Sequence, residues 1–334
     1  MTDPTLDALL TACRAHHGGE PSDVLRRATG AFVARATEDS ATLAPAAAAL
    51  PHLHPAGAAW LALTLGAAIE GGAPVDLTGP AVVDLLLSWL PKLPVDEADA
   101  DTDADAVPRE PTPEQAEVLA ALPLLGQSVV AHLARMPQLR EELARDAALV
   151  ERLEALSGQS DGAMWVHEVL ARHSGPLLVL HPPSGTGFRL RYENVSNCFH
   201  LFSLIQCALG RSIPGGRVPS GAVCAVARGE STERVSDQAW WHYGDPRSKT
   251  ADIGGSIWGE ASVRSIPAFK GVQIILLWPP LLGSRSWDSG FMGPHLEASP
   301  SDVVVEAELD EKDCDAWFEE LGVAHGRRRT WWPW

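Results

Sequence analysis

The chain has 334 residues, 46% of them hydrophobic and 21% charged, which is enough material for two cores and the composition of a globular protein. Its formal charge of −17 argues against nonspecific binding to nucleic acid or to an anionic membrane. Residues 175–334 carry 18 acidic and 15 basic side chains, so most of the negative excess lies in the first half, where a basic partner would fit best.

The start, Met1-Thr2-Asp3-Pro4, is acidic and no apolar run follows, so no signal peptide is expected. Apolar stretches are broken by Gly, Pro or charge before 18 residues, so no membrane span is expected. Cysteines at positions 13, 198, 207, 224 and 314 give an odd count without a framework spacing, which points to free thiols in a reducing cytoplasm. The Ala, Arg and Pro usage suggests a high-GC bacterium.

Residues 1–94 read as a helical domain. Leu6, Leu9 and Leu10 have helical spacing, and Val24, Leu25, Ala28, Phe32 and Val33 form a second stripe. Pro55 to Ile69 is apolar nearly all round and predicts a buried helix. Pro80 is placed for a helix start and Pro91 ends that run. No repeat period is evident.

Residues 95–112 read as a disordered acidic linker, since Asp96 to Asp105 has little to bury and repels itself. Its alternating Asp lacks the glycine turn and distal Glu of a calcium loop. Residues 113–174 return to helix. Thr112-Pro113-Glu114-Gln115 is a helix start, and Leu139 to Leu156 reads as one amphipathic helix. His167-Glu168 with His173 lacks the i, i+4 spacing of a zinc protease helix.

Residues 175–325 change period, and nine of the twelve tryptophans lie at or beyond residue 240. Leu177 to Leu180 predicts a buried strand, and Phe188, Leu190 and Tyr192 alternate with charge as a half-exposed one. Pro182 to Gly187 joins them as a hairpin turn. Neither Ser184-Gly185-Thr186-Gly187 nor Gly215-Gly216 has the context of a nucleotide loop. Further strands are expected over Ala222–Ala227, Ala239–Tyr243, Ser256–Trp258, Val272–Trp278 (central) and Val303–Glu306. Helices are expected over Cys198–Leu209 and Asp310–Leu321. The expected class is α+β: a helical N-terminal region, then a mixed sheet with one buried central helix and a C-terminal helix.

Asn197 is a good cap for the Cys198 helix, and the first helical position favours a thiolate. Asn-Cys ahead of an apolar helix resembles the nucleophile helix of papain-like cysteine hydrolases, over about 13 residues of the chain. That resemblance implies a later histidine as base, for which His242 is the natural choice, with Asp245 or Glu260 to orient it. Cys198, His200, Cys207 and Cys224 carry zinc-binding atoms, but their spacings match no knuckle or ribbon, and neither a metal nor a cofactor is expected.

Trp240, Trp241, Trp258 and Trp287, with Arg285 and Phe291, are candidate partner-binding residues, because Trp and Arg dominate interface hot spots. Residues 326–334 form a basic-aromatic tail in which Trp331, Trp332 and Trp334 follow three arginines. The leading expectation is a cytoplasmic, non-catalytic adaptor or accessory subunit of a bacterial multi-protein assembly. It would bind a protein partner, or a second copy of itself, through the Trp-rich domain and tail. The rival expectation is a cysteine hydrolase or transferase using Cys198, His242 and Asp245.

Overall fold

The structure is a computed structural model, and it describes residues 3–94, 110–282, 285–292 and 298–326, with the side chains of Phe291 and Met292 excepted. The expectations for the acidic segment over 95–109 and for the tail over 327–334 lie outside the described residues. The chain is α+β and divides into two compact units, residues 1–170 and 171–334.

The first unit is helical: α1 (Pro4–Arg14), α2 (Asp23–Glu38), α3 (Leu43–Ala49), α4 (Pro55–Glu70), α5 (Gly79–Trp89), α6 (Pro113–Leu133), α7 (Pro137–Leu143), α8 (Ala147–Ser157) and α9 (Asp161–Ala171). Caps set many of the starts. Asp3 accepts from Thr5 and Leu6 N–H, and Ser22 from Leu25 N–H. Thr112 and Gln115 form a reciprocal capping box ahead of Pro113. The helix expected over Leu139–Leu156 is two helices, because the Asp146 side chain accepts from Leu149 N–H and starts α8 anew.

Apolar α4 packs on α6, where the Ser128 hydroxyl donates to the Ala62 carbonyl at 2.5 Å. Gly126 on α6 and Gly162 on α9 let those two helices touch, since a Cβ on Gly126 would lie 2.5 Å from the Gly162 Cα. Helices on both sides of the acidic segment therefore belong to one unit. Among the described residues α6 alone is long and apolar enough to cross a membrane, by length and composition only, and 56% of its apolar window is buried.

The second unit carries β1 (His173–His181), β2 (Thr186–Val195), α10 (Cys198–Leu209), α11 (Gly221–Arg228), β3 (Ser236–Gln238), β4 (His242–Gly244), β5 (Ala268–Phe269), β6 (Val272–Trp278), β7 (Ser286–Asp288), β8 (Asp302–Glu308) and α12 (Glu311–Leu321). The main sheet runs β4-β6-β1-β2-β8, with β5 also paired to β6. Strands β1 and β6 are parallel and the other pairs antiparallel, so the sheet is mixed. Strands β3 and β7 form a separate ribbon.

Both faces of the sheet centre are covered, which explains the continuous apolar runs of β1 and β6. Leu177 and Val179 face the cluster built around α10, while Leu178 and Leu180 face Cys314 and Phe318 of α12. The β1–β2 hairpin turns at Gly185, which adopts φ +62.

Three expectations need correction. Ala222–Ala227 is helical: Ser220 caps α11 and Gly229, at φ +79, stops it, so local capping overrides the apolar run. Ser256–Trp258 is irregular, with a single bridge from Ser256 to Gly244, and the strand near Tyr243 narrows to His242–Gly244. The five cysteines are not all free. Cys207 near the end of α10 and Cys224 in α11 lie 5.9 Å apart at Cα and form a disulfide, which also withdraws both as metal ligands.

Candidate functional site

The N-terminal end of α10 is built by its own cap and by a loop laid across it. The Asn197 side chain accepts from His200 N–H at 3.0 Å. Cys198 N–H donates to the Ala261 carbonyl at 3.0 Å and Phe199 N–H to the Gly259 carbonyl at 2.8 Å. Gly259 is required there, because a Cβ would lie 2.2 Å from the Phe199 ring. The donors that would stabilise a thiolate are thus taken by carbonyls. Cys198 is fully buried, its Sγ is 3.9 Å from the Ser262 carbonyl, and burial pushes its pKa up to about 12. That direction is opposite to the one expected for a helix-end thiolate.

His242 is buried on β4 opposite Trp278. Burial holds its pKa below the usual value, and the Arg285 charge adds to this. Among the described residues no hydrogen bond joins Cys198 to His242. Asp245 is engaged by the Arg247 guanidinium at 2.9 Å, and the carboxylate whose charge reaches His242 is Asp252. Glu260 is exposed and acts on Arg285. His200 is neutral, its pKa pushed down to about 4 by burial. Its Nε2–H donates to the Ala227 carbonyl at 2.6 Å, which leaves Nδ1 to accept from Ser196.

A buried polar network runs beside this end of the core, and sequence reasoning did not find it. The Asp237 carboxylate accepts from the Ser203 hydroxyl at 2.7 Å and from the Gln206 amide at 2.9 Å. Trp287 Nε1 donates to Ser203 at 3.0 Å, and Gln206 Oε1 accepts from Tyr243 OH and Trp240 N–H. The available signal was Ser203 and Gln206, polar residues three apart on one face of an otherwise apolar helix.

The tryptophans divide by burial. Trp287 is in the core, 5.0 Å from the Phe199 ring, and Trp241 is in the core over Gly216. Trp240 is half-buried, with the Arg217 guanidinium 5.2 Å from its ring. Trp258 is 56% exposed. Arg285 lies 5.8 Å from the Trp258 ring and 5.6 Å from the Phe199 and Phe202 rings, with one hydrogen bond to the Ile257 carbonyl at 3.4 Å. Among the described residues no carboxylate forms an ion pair with Arg285. The structure therefore brings Trp258 and Arg285 together at the surface and sends Trp241 and Trp287 inward. The Phe291 side chain and Trp331, Trp332 and Trp334 lie outside the described residues.

No family model matches the sequence, and no curated protein and no solved structure matches it significantly.

Proposed function

We propose that the chain is a non-catalytic binding or accessory protein of a bacterial assembly, and that its second unit engages a protein partner through Trp258 and Arg285. One observation supports this reading: an exposed indole beside a half-buried guanidinium that forms no ion pair with a described carboxylate. Three aromatic rings around one cation, with one donor given to the Ile257 carbonyl, leave its other hydrogen-bond donors to be met by a ligand. The fitting partner is a segment that sets a carboxylate against Arg285 and an apolar or aromatic side chain against Trp258. The basic-aromatic tail belongs to the same reading as a second docking element. Residence in the cytoplasm is part of the proposal, and the Cys207–Cys224 disulfide weighs against it, since such bonds are rare where thiols are kept reduced.

The test is quantitative co-purification from the native host with wild-type chain, Trp258→Ala, Arg285→Gln and a chain lacking residues 327–334, with sedimentation of each to read self-association. Loss of an anchor of this type costs about 2 kcal/mol, roughly 30-fold in affinity. The expected result is loss of a defined partner, or of the dimer, in the two substituted chains at unchanged melting temperature. Identical partners and identical sedimentation for all four would refute the reading.

A further inference from the structure

Strand β8 ends the main sheet, paired with β2 on one side. Among the described residues no strand takes its other side. Val304, Val305, Glu306 and Ala307 are all exposed, Val304 at 48% and Val305 at 41%. An open edge that carries two valines is a template for a further strand.

The two valines stand on opposite faces of the sheet. Val305 pairs with Leu190, which packs into the core around α10, and Val304 pairs with Arg191. A bulge beside Arg189 leaves Asp302 to Val305 in regular register, so the ladder open to an added strand is short.

Residues 327–334 start from the right place to supply that strand. Gly326 N–H donates to the Pro182 carbonyl at 2.9 Å, against the β1–β2 turn. Phe188, just past that turn, pairs with Glu308, so the chain departs at the Glu308 end of β8. Eight extended residues reach about 26 Å. Crossing β2 to the outer side of β8 uses about 10 Å, and the remaining length of about 16 Å matches the run from Glu308 to Val304. The added strand would lie antiparallel to β8.

The order of side chains matches as well. Arg327, Arg328 and Arg329 come first, beside an acidic segment: residues 302–321 carry nine acidic side chains and one lysine. Ion pairs with Arg189, Arg191, Arg228 and Lys270 offset only part of that charge. Trp331 and Trp332 follow. As neighbours on a strand they face opposite ways, as Val304 and Val305 do, and aromatic pairs with β-branched residues across strands are stabilising. Pro333 lacks an N–H and suits an outermost strand. A second copy's β8 would instead set the same acidic segment against itself.

We propose that residues 327–334 add to the sheet as a strand on the open edge of β8 of their own chain. The contact involves neither Trp258 nor Arg285 and forms without a partner. A partner that takes the tail would displace it from β8.

The experiment is amide hydrogen exchange of the full chain, read by mass spectrometry over residues 302–309. It is compared with a chain ending at Gly326 and with full-length Trp331→Ser/Trp332→Ser, and each is sedimented. The β8 amides are expected to exchange about tenfold faster in both altered chains. A peptide of residues 327–334 should restore protection to the shortened chain saturably, and salt should weaken it. Should the shortened chain fail to fold, the double variant at unchanged melting temperature decides. Equal exchange in the full chain and the double variant overturns the proposal. So does protection that appears only with a sedimenting dimer and falls on dilution, which would put the tail on a second copy.

Discussion

Gln206 and Asp237 meet in the core of the second unit, the Gln206 amide donating to Asp237 Oδ2 at 2.9 Å. The other end of the same amide accepts from Tyr243 OH at 2.9 Å and from Trp240 N–H at 3.0 Å. One side chain on α10 thereby joins a buried carboxylate to the start of β4.

This arrangement predicts a pH signature. Burial raises the Asp237 pKa above its ordinary value of 3.8, and the hydrogen bonds from Ser203, Gln238 and Gln206 only partly oppose it. A raised folded-state pKa means that folding favours the protonated acid. That stabilisation is full below the unfolded value and is lost as pH rises through the folded one. Asp237→Asn removes the titration and sets an amide donor against donors, at a cost of about 1–3 kcal/mol. The melting-temperature advantage of wild type over Asp237→Asn should grow as pH is lowered from 7 toward 4. A constant difference would show that Asp237 is ionised and fully compensated.

Cys198 should label slowly. With its pKa pushed up to about 12 by burial and its helix-end donors taken by Ala261 and Gly259, almost no thiolate exists near neutral pH. Iodoacetamide with the folded chain, read by mass spectrometry, should modify Cys198 no faster than Cys13 or Cys314, which are also buried. Rapid, selective alkylation of Cys198 would restore the cysteine-hydrolase reading with His242 as base.

The disulfide should carry measurable stability. Cys207 and Cys224 are separated by 17 residues in sequence, and closing a loop of that size contributes about 3 kcal/mol. Reduction, or substitution of both cysteines by serine, should lower the melting temperature of the second unit by about 6–12 °C. An unchanged midpoint after complete reduction would place the bond outside the structure's stabilising contacts.

The glycine contact in the first unit should be intolerant of a methyl group. A Cβ on Gly162 would lie 2.3 Å from the Leu122 carbonyl, and one on Gly126 would lie 2.5 Å from the Gly162 Cα. Each alanine substitution should destabilise by about 1–3 kcal/mol in urea unfolding, and the pair should be non-additive because both act on one contact. Wild-type stability in either variant would mean that α6 and α9 separate without cost.

Local chemistry was legible in the sequence wherever it acts over a few residues. The helix start at Thr112, the bounds of the Cys198–Leu209 and Val272–Trp278 elements, and the hairpin through Gly185 follow from caps, periodicity and turn residues. The α+β class follows from the change of period near residue 175. The break at Asp146 and the helix over Gly221–Arg228 depart from the apolar spacing for one reason: a capping side chain starts a new helix at each.

The candidate sites depended on distances that no local pattern encodes. Trp258 and Arg285 are 27 positions apart in sequence, and only the packing of their loops sets the guanidinium 5.8 Å from the indole. Asp237 reaches Ser203 across 34 residues. Five cysteines without a framework spacing do not announce a disulfide, which requires α10 and α11 to bring two Cα atoms to 5.9 Å. The sequence by itself determined which segments become helix or strand and how much apolar surface each must bury. Tertiary structure decided which indole stays in water, which cysteines pair and which charge is buried, because each depends on contacts between segments distant along the chain.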